Sequence, residues 1–171
     1  MKWMVPAVAV FALAWAAPHT AFAQASPQDR KWLQQTHQSN LAEIAAGKLA
    51  EQSGHAESIR MVGHTLATDH AAMDVELQKV AKQLDVKLPD APNAQQKAVM
   101  AALHSRHGME FDQMWAHDEA DGHIQAIELT TFEVNNGSAP QVKQLAVKAL
   151  PVLKKHHQLL THAQSEIHGG P

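Results

Sequence analysis

Val62-Gly63-His64-Thr65-Leu66-Ala67-Thr68-Asp69-His70-Ala71-Ala72-Met73-Asp74-Val75-Glu76-Leu77-Gln78-Lys79-Val80 is the stretch whose periodicity decides the fold. Val62, Leu66, His70, Met73, Leu77 and Val80, with Leu84 beyond them, recur at gaps of three and four residues, the spacing of one helix face. No segment here or elsewhere alternates apolar and polar residues for the length of a strand. Ser53-Gly54 on one side and Leu88-Pro89-Asp90-Ala91-Pro92 on the other are breakers, so the pattern predicts a helix over 56–84. The only strongly polar member of its apolar stripe is His70, at the middle.

The same reading extends outward in both directions. Ser26-Pro27 is an N-cap with proline in the first turn and opens a helix over 27–52. Asn93 followed by Gln96 forms a capping box that starts a short helix ending near Gly108. A further helix runs over 108–134, Asn135-Asn136-Gly137-Ser138 reads as a turn, and Pro140 opens a last helix over 140–167. Pro151 falls inside that last helix, where a missing N–H and a crowded ring predict a kink. Short connections between long helices favour antiparallel neighbours. The expectation is an all-α, antiparallel four-helix bundle with a short extra helix between its second and third members.

A chain of 171 residues has room for one such domain. Its first 23 residues differ from the rest: Lys2, an apolar run from Val5 to Ala17, and Ala21-Phe22-Ala23 before Gln24. A positive start, a short apolar run and an A-x-A site describe a cleaved secretory signal peptide. The run falls short of the ~20 residues that span a bilayer, and Pro6 interrupts it. The domain expected in the periplasm is thus 24–171, with no membrane-spanning segment. Without Lys2 the 14 basic residues become 13 against 17 acidic, a net charge of −4 with histidine neutral. The charges are interspersed with no basic run, which argues against nucleic acid as a partner. With no cysteine, the fold rests on packing alone and no thiolate is available as ligand or nucleophile. Histidine is over-represented, with 12 of 13 lying beyond the leader.

Three of these histidines occupy apolar stripes. His70 does so in 56–84. His156 lies among Val142, Leu145, Ala149, Val152, Leu153, Leu160, Ala163 and Ile167. His123 shares a face with Ala116, Ala120, Ile127 and Val134, with Asp112 and Glu119 within ~40° of it. In 27–52, Glu43 shares a face with Trp32, Thr36, Ala46, Gly47 and Ala50. All four positions fall near the middles of their helices, so an antiparallel arrangement would bring Glu43, His70, His123 and His156 to one level, with Asp112 or Glu119 near them. Imidazoles and carboxylates converging in a bundle core suit one divalent transition-metal ion such as Zn, Fe, Cu or Mn. The competing reading is a structural polar layer, for example a Glu119–His123 pair at i,i+4 and a contact from Glu43 to a histidine. The outlying histidines and their acidic neighbours, such as His117 and Asp121, read as a solvated face, and Asp69 as a charge on the flank. Met61, Met73, Met100, Met109 and Met114 read as core filler.

Glu43-x-x-x-Gly47-Lys48-Leu49-Ala50, Met61-Val62 ahead of Asp69-His70, Leu88-Pro89, Gly108-x-x-Phe111-Asp112, His123-x-x-Ala126-Ile127 and Leu150-Pro151-x-Leu153-x-x-His156 occur in that order. Together, over about residues 28–165, they resemble the DUF4142 family of exported bacterial proteins of unknown function. The resemblance implies a ferritin-like helical bundle and makes Glu43, His70, Asp112, His123 and His156 typical polar positions. It supplies no activity. The "outer membrane" label often attached to the family would need a barrel of strands, and no strand pattern is present. The Glu-x-x-His pairs of di-iron ferritin-like proteins are also missing. A mononuclear site is therefore the expectation, in a role of binding or stress protection rather than turnover. The alternative is a metal-free envelope-stress or interaction module with an envelope protein as partner. No catalytic residue is assigned, because the sequence shows neither a cleft nor a general base.

Overall fold

The structure is a computed structural model describing residues 24–168, so the signal peptide expected over 1–23 lies outside the described residues. The described chain is all helical: α1 Pro27–Ser53, α2 Glu57–Gln83, α3 Ala94–His104, α4 Gly108–Asn136 and α5 Pro140–His168. Two helix ends shift, the first being that of α3, which stops at His104 and not near Gly108. The last helical turn of α4 takes in Asn135 and Asn136 and stops at Gly137, whose N–H donates to the Glu133 carbonyl at 2.8 Å. Helix α5 runs unbroken through Pro151, whose ring sits on the exposed side.

Cross-contacts fix the directions of the helices. His37 meets Asp74, Asn40 meets His70, and Gly47 meets Gly63, so α1 and α2 are antiparallel. Trp32 donates to Thr130 Oγ1 at 3.4 Å and Trp115 to the Ala46 carbonyl at 3.1 Å, so α1 and α4 are antiparallel as well. Helices α2 and α4 therefore run the same way, and the chain must travel the full length of the molecule between them. It climbs along α1: Arg30 donates to the Asp85 carbonyl, Gln34 to that of Lys87 and Gln38 to that of Ala91, and Gln96 reaches Ser39. Helix α3 completes the climb and buries Leu103 against α1 and α4. Helix α5 follows α4 after a three-residue turn and closes the bundle against α2.

Local chemistry supports each end. Asp29 and Ser26 form a reciprocal capping box on α1. The same Asp29 carboxylate accepts from the N–H groups of Ser138 and Ala139 at 3.0 and 3.2 Å, tying the start of α1 to the start of α5. Burial works to raise the Asp29 pKa, but hydrogen bonds from Ser26, Ser138 and Glu133 overcome it and hold the carboxyl well below the usual carboxylate range. Midway along, α1 and α2 touch backbone to backbone. A Cβ on Gly47 would sit 2.6 Å from the Gly63 carbonyl oxygen, and one on Gly63 would sit 2.7 Å from that of Gly47.

The core is split in two. One apolar cluster joins Ala46, Leu66, Trp115, Ala120 and Leu160, and the other joins Trp32, Leu33, Leu77, Val142 and Ala146. Between them, at mid-height, lie buried polar side chains: His37, Asn40, His70, Asp74, Glu119, His123 and His156. The methionines divide. Met100 and Met114 pack against the first cluster, but Met61 and Met109 are exposed, so "core filler" describes only part of the set.

Candidate metal centre

Each imidazole of the middle layer comes from a different helix: His70 from α2, His123 from α4 and His156 from α5. All three are buried, at 2%, 1% and 0% exposure, and their ring centroids lie 5.2–5.5 Å apart. The convergence follows from helix period and helix direction. Each ring occupies one place in a three-four stripe near the middle of a helix of 27 or 29 residues, so the bundle brings equal heights together.

The outer nitrogen of every ring has an acceptor. His70 Nδ1 lies 3.0 Å from Asn40 Oδ1. The Asn40 amide is oriented by Asp74, whose Oδ1 accepts from Asn40 Nδ2 at 3.1 Å, so its oxygen must face His70. Asp74 is itself held by His37 Nδ1 at 2.7 Å and Gln78 Nε2 at 2.7 Å. His123 Nδ1 faces the Glu119 backbone carbonyl at 2.8 Å, and His156 Nε2 faces Asp69 Oδ2 at 2.9 Å. Carbonyls and carboxylates only accept, so in each ring the outer nitrogen carries the hydrogen.

That leaves three inner nitrogens with lone pairs. His123 Nε2 is 3.5 Å from His70 Nε2 and 3.3 Å from His156 Nδ1. With every ring hydrogen already donated outward, neither approach has a proton to share. Protonating a ring is also disfavoured. Burial holds the His70 pKa well below its ordinary value, and the His123 and His156 rings push it further. Burial lowers His123 and His156 too, against the opposing pull of the Glu119 carbonyl on one and Asp69 on the other. Two Zn–N bonds of ~2.0–2.1 Å at a tetrahedral angle place their nitrogens roughly 3.3–3.4 Å apart. The observed spacings match that separation.

Carboxylates border the same space. Glu43 Oε2 lies 4.0 Å from His70 Nε2 and has no hydrogen-bond partner. Glu119 Oε2 is likewise buried without one. Burial raises the pKa of both, and Glu119 stands well above the ordinary range because the neighbouring Glu43 charge adds to it. His70, His123 and His156 bring one ligand atom each within 4.8 Å of one another, and so do Glu43, Glu119 and His123. His123 belongs to both sets, with its inner Nε2 toward the other imidazoles and its outer Nδ1 3.9 Å from Glu43 Oε1.

The structure thus gathers five of the six residues expected as ligands and separates one. Asp112 is buried at the far end of α4, where its oxygens accept from the N–H groups of His55 and Ala56 at 2.8 and 2.7 Å. There it caps the start of α2, whose own N-cap residue, Ala56, has no side-chain oxygen to offer. Eleven residues of helix, roughly 16 Å, separate it from His123. Asp69 is the converse correction. It is bonded to His156 rather than being a free charge on the flank. The i,i+4 pair also differs in detail, since His123 bonds the backbone of Glu119 and not its carboxylate. Sequence reasoning did not find Asn40, Asp74 and His37, although Asn40, Glu43 and Gly47 share one heptad-like face. His117 sits on the outside beside Asp118 and Asp121, at 3.6 and 3.7 Å.

The sequence model of a family described as a domain of unknown function, DUF4142, matches residues 14–163. A crystal structure of a DUF305 fragment from Deinococcus radiodurans superposes with a TM-score of 0.70 at 12% identity, over 83% of this chain and 98% of that one. At that identity the likeness speaks for a shared helical fold alone. No curated protein matches the chain. No described helix is long and apolar enough to cross a membrane.

Proposed function

The chain belongs to the DUF4142 family, whose description carries no activity, and we propose from its own residues that it is an exported helical protein that holds one divalent transition-metal ion. Export to the periplasm rests on the leader-like composition of residues 1–23. A four-helix, ferritin-like arrangement is supported by the order of directions, with α1 opposed to α2 and α4 and a full-length crossover between α2 and α4.

One observation carries the metal reading: three inner imidazole lone pairs face one another while all three ring hydrogens are spent on outer acceptors. His70 Nε2, His123 Nε2 and His156 Nδ1 would be three ligands and Glu43 Oε2 the fourth, with Glu119 beside it. A cation there relieves the repulsion among the lone pairs and compensates the buried Glu43 oxygen that has no partner. The outer acceptors are what ligating histidines normally have, since they fix the tautomer and raise the basicity of the ligating nitrogen. A metal-free polar layer explains the outer bonds but leaves the inner lone pairs opposed. Glu43 stands outside the mutual reach of the three nitrogens and would swing in to complete a tetrahedral shell; with no position then left for a substrate, the role is binding and protection rather than turnover.

The test is calorimetric titration of the metal-free chain with Zn, Cu, Fe(II) and Mn ions. One ion per chain is expected for at least one of them. His123→Gln, which keeps the volume but loses the inner nitrogen, should bind at least ~100-fold more weakly. A chain that takes up none of the four, and in which His70→Ala behaves as an ordinary core truncation, would overturn the proposal.

A further inference from the structure

A groove of about 630 Å³ opens where α1, α3 and α4 meet, and its inner wall reaches His70. Four carboxylates line it against a single lysine, Lys97. Their side chains are graded by depth: Asp121 is 60% exposed, Asp118 31% and Glu43 14%. Glu119, at 7%, is the deepest, and its Oε2 has no partner. A buried carboxylate oxygen without a donor, at the inner end of such a gradient, is placed to accept a cation.

Gly122 supplies an independent observation. It lies inside α4, where glycine costs ~1 kcal/mol relative to alanine. Unlike Gly47 and Gly63, it has no close neighbour to excuse it. A Cβ there would meet only Glu43 Oε1, at 3.8 Å, an ordinary contact. Packing does not require a bare backbone at this point, but an opening above Glu43 does.

We propose that this groove is the path by which a divalent cation reaches and leaves the three imidazoles, passing beneath Gly122 by way of Glu119 and Glu43. The path rests on the metal-binding reading above. The ion sheds water in steps, since each carboxylate replaces part of its hydration before the histidines close round it. The apolar cluster that holds Leu66, Ala120 and Leu160 offers no oxygen to do this, and the Asp69 and Asn40 oxygens are already bonded to His156 and His70.

The experiment is stopped-flow uptake of Zn ion by the metal-free chain, and release from the loaded chain into excess chelator, for wild type, Gly122→Ala and Gly122→Leu. A leucine fills the opening; its Cβ would lie in ordinary contact with Glu43 Oε1 at 3.8 Å and not with the Oε2 that faces His70. Uptake and release should both slow at least ~10-fold in Gly122→Leu, with the equilibrium constant unchanged, and Gly122→Ala should stay within ~2-fold of wild type. If Gly122→Leu fails to fold, Gln125→Trp, on the same lining, carries the same expectation. Wild type that binds no metal overturns the binding reading itself. Metal binding with both rates unchanged in the blocked variants overturns the path alone. Faster release with weaker affinity also overturns it, because the glycine would then be shaping the site and not admitting the ion.

Discussion

His156 shows how much a residue's surroundings decide. Its ring is wholly buried, yet its Nε2 reaches Asp69, whose side chain is 38% exposed at the molecule's edge. Asp69 therefore stands outside the trio of inner nitrogens but dictates which nitrogen of His156 faces inward. Asp69→Ala should weaken metal binding by about 10–100-fold, while the metal-free chain melts within ~1 kcal/mol of wild type because little packing is lost. Parallel calorimetry and melting curves would check both halves. Glu133 offers a pH experiment. It is fully buried beside Asp29, and burial pushes its pKa from 4.5 up to about 7. A folded-state pKa above the unfolded value contributes stability in full below pH ~4.5, and that stability is lost as pH rises through ~7. Glutamine can donate to Asp29 as the protonated acid does, without ionising. Glu133→Gln should match wild type near pH 4.5 and exceed it by roughly 2–3 kcal/mol above pH 8. Equal urea midpoints at both pH values would contradict this. The three core histidines and Glu43 were legible in the sequence because stripe membership and mid-helix height are both countable. Asp112 was misplaced because its angle was weighed without its height. Asn40, Asp74 and Asp69 were missed as partners because side-chain direction, not period, selects them.

At the scale of the element, one substitution has opposite signs in two helices. Gly63 faces Gly47 across the α1–α2 contact, and a methyl group there would lie 2.7 Å from both a backbone oxygen and the Ala50 Cβ. Gly63→Ala must push the helices apart, an overpacking cost of about 1–3 kcal/mol that outweighs the better helix propensity. Gly122→Ala meets no such wall and should gain up to ~1 kcal/mol. Denaturant midpoints of the two variants should therefore move in opposite directions; movement in the same direction would refute the distinction. Helix starts were readable to within a residue because Ser26-Pro27, Asn93 with Gln96, and Pro140 act through their own side chains. The end of α4 was less so. Asn135 and Asn136 favour turns in isolation, but the helix continues until Gly137, where any side chain would collide with Glu133.

Over the whole molecule, the arrangement exchanges core continuity for a polar layer. Two apolar clusters hold the ends of the bundle, and the layer between them contains three imidazoles, an amide and several carboxyl groups. The helical class and the common level of the histidines could be read from periodicity. The crossover along α1 could not, because it is fixed by backbone carbonyls of residues 85–91 meeting Arg30, Gln34 and Gln38. Nor could the groove, which exists only once α3 leans on α1 and α4. In the proposed centre three helices deliver one nitrogen each to a single ion. X-ray absorption on the Zn-loaded chain reads this most directly. Three imidazole nitrogens at ~2.0–2.1 Å with one carboxylate oxygen are expected. A shell of water and carboxylate oxygens with fewer than two imidazoles would contradict it.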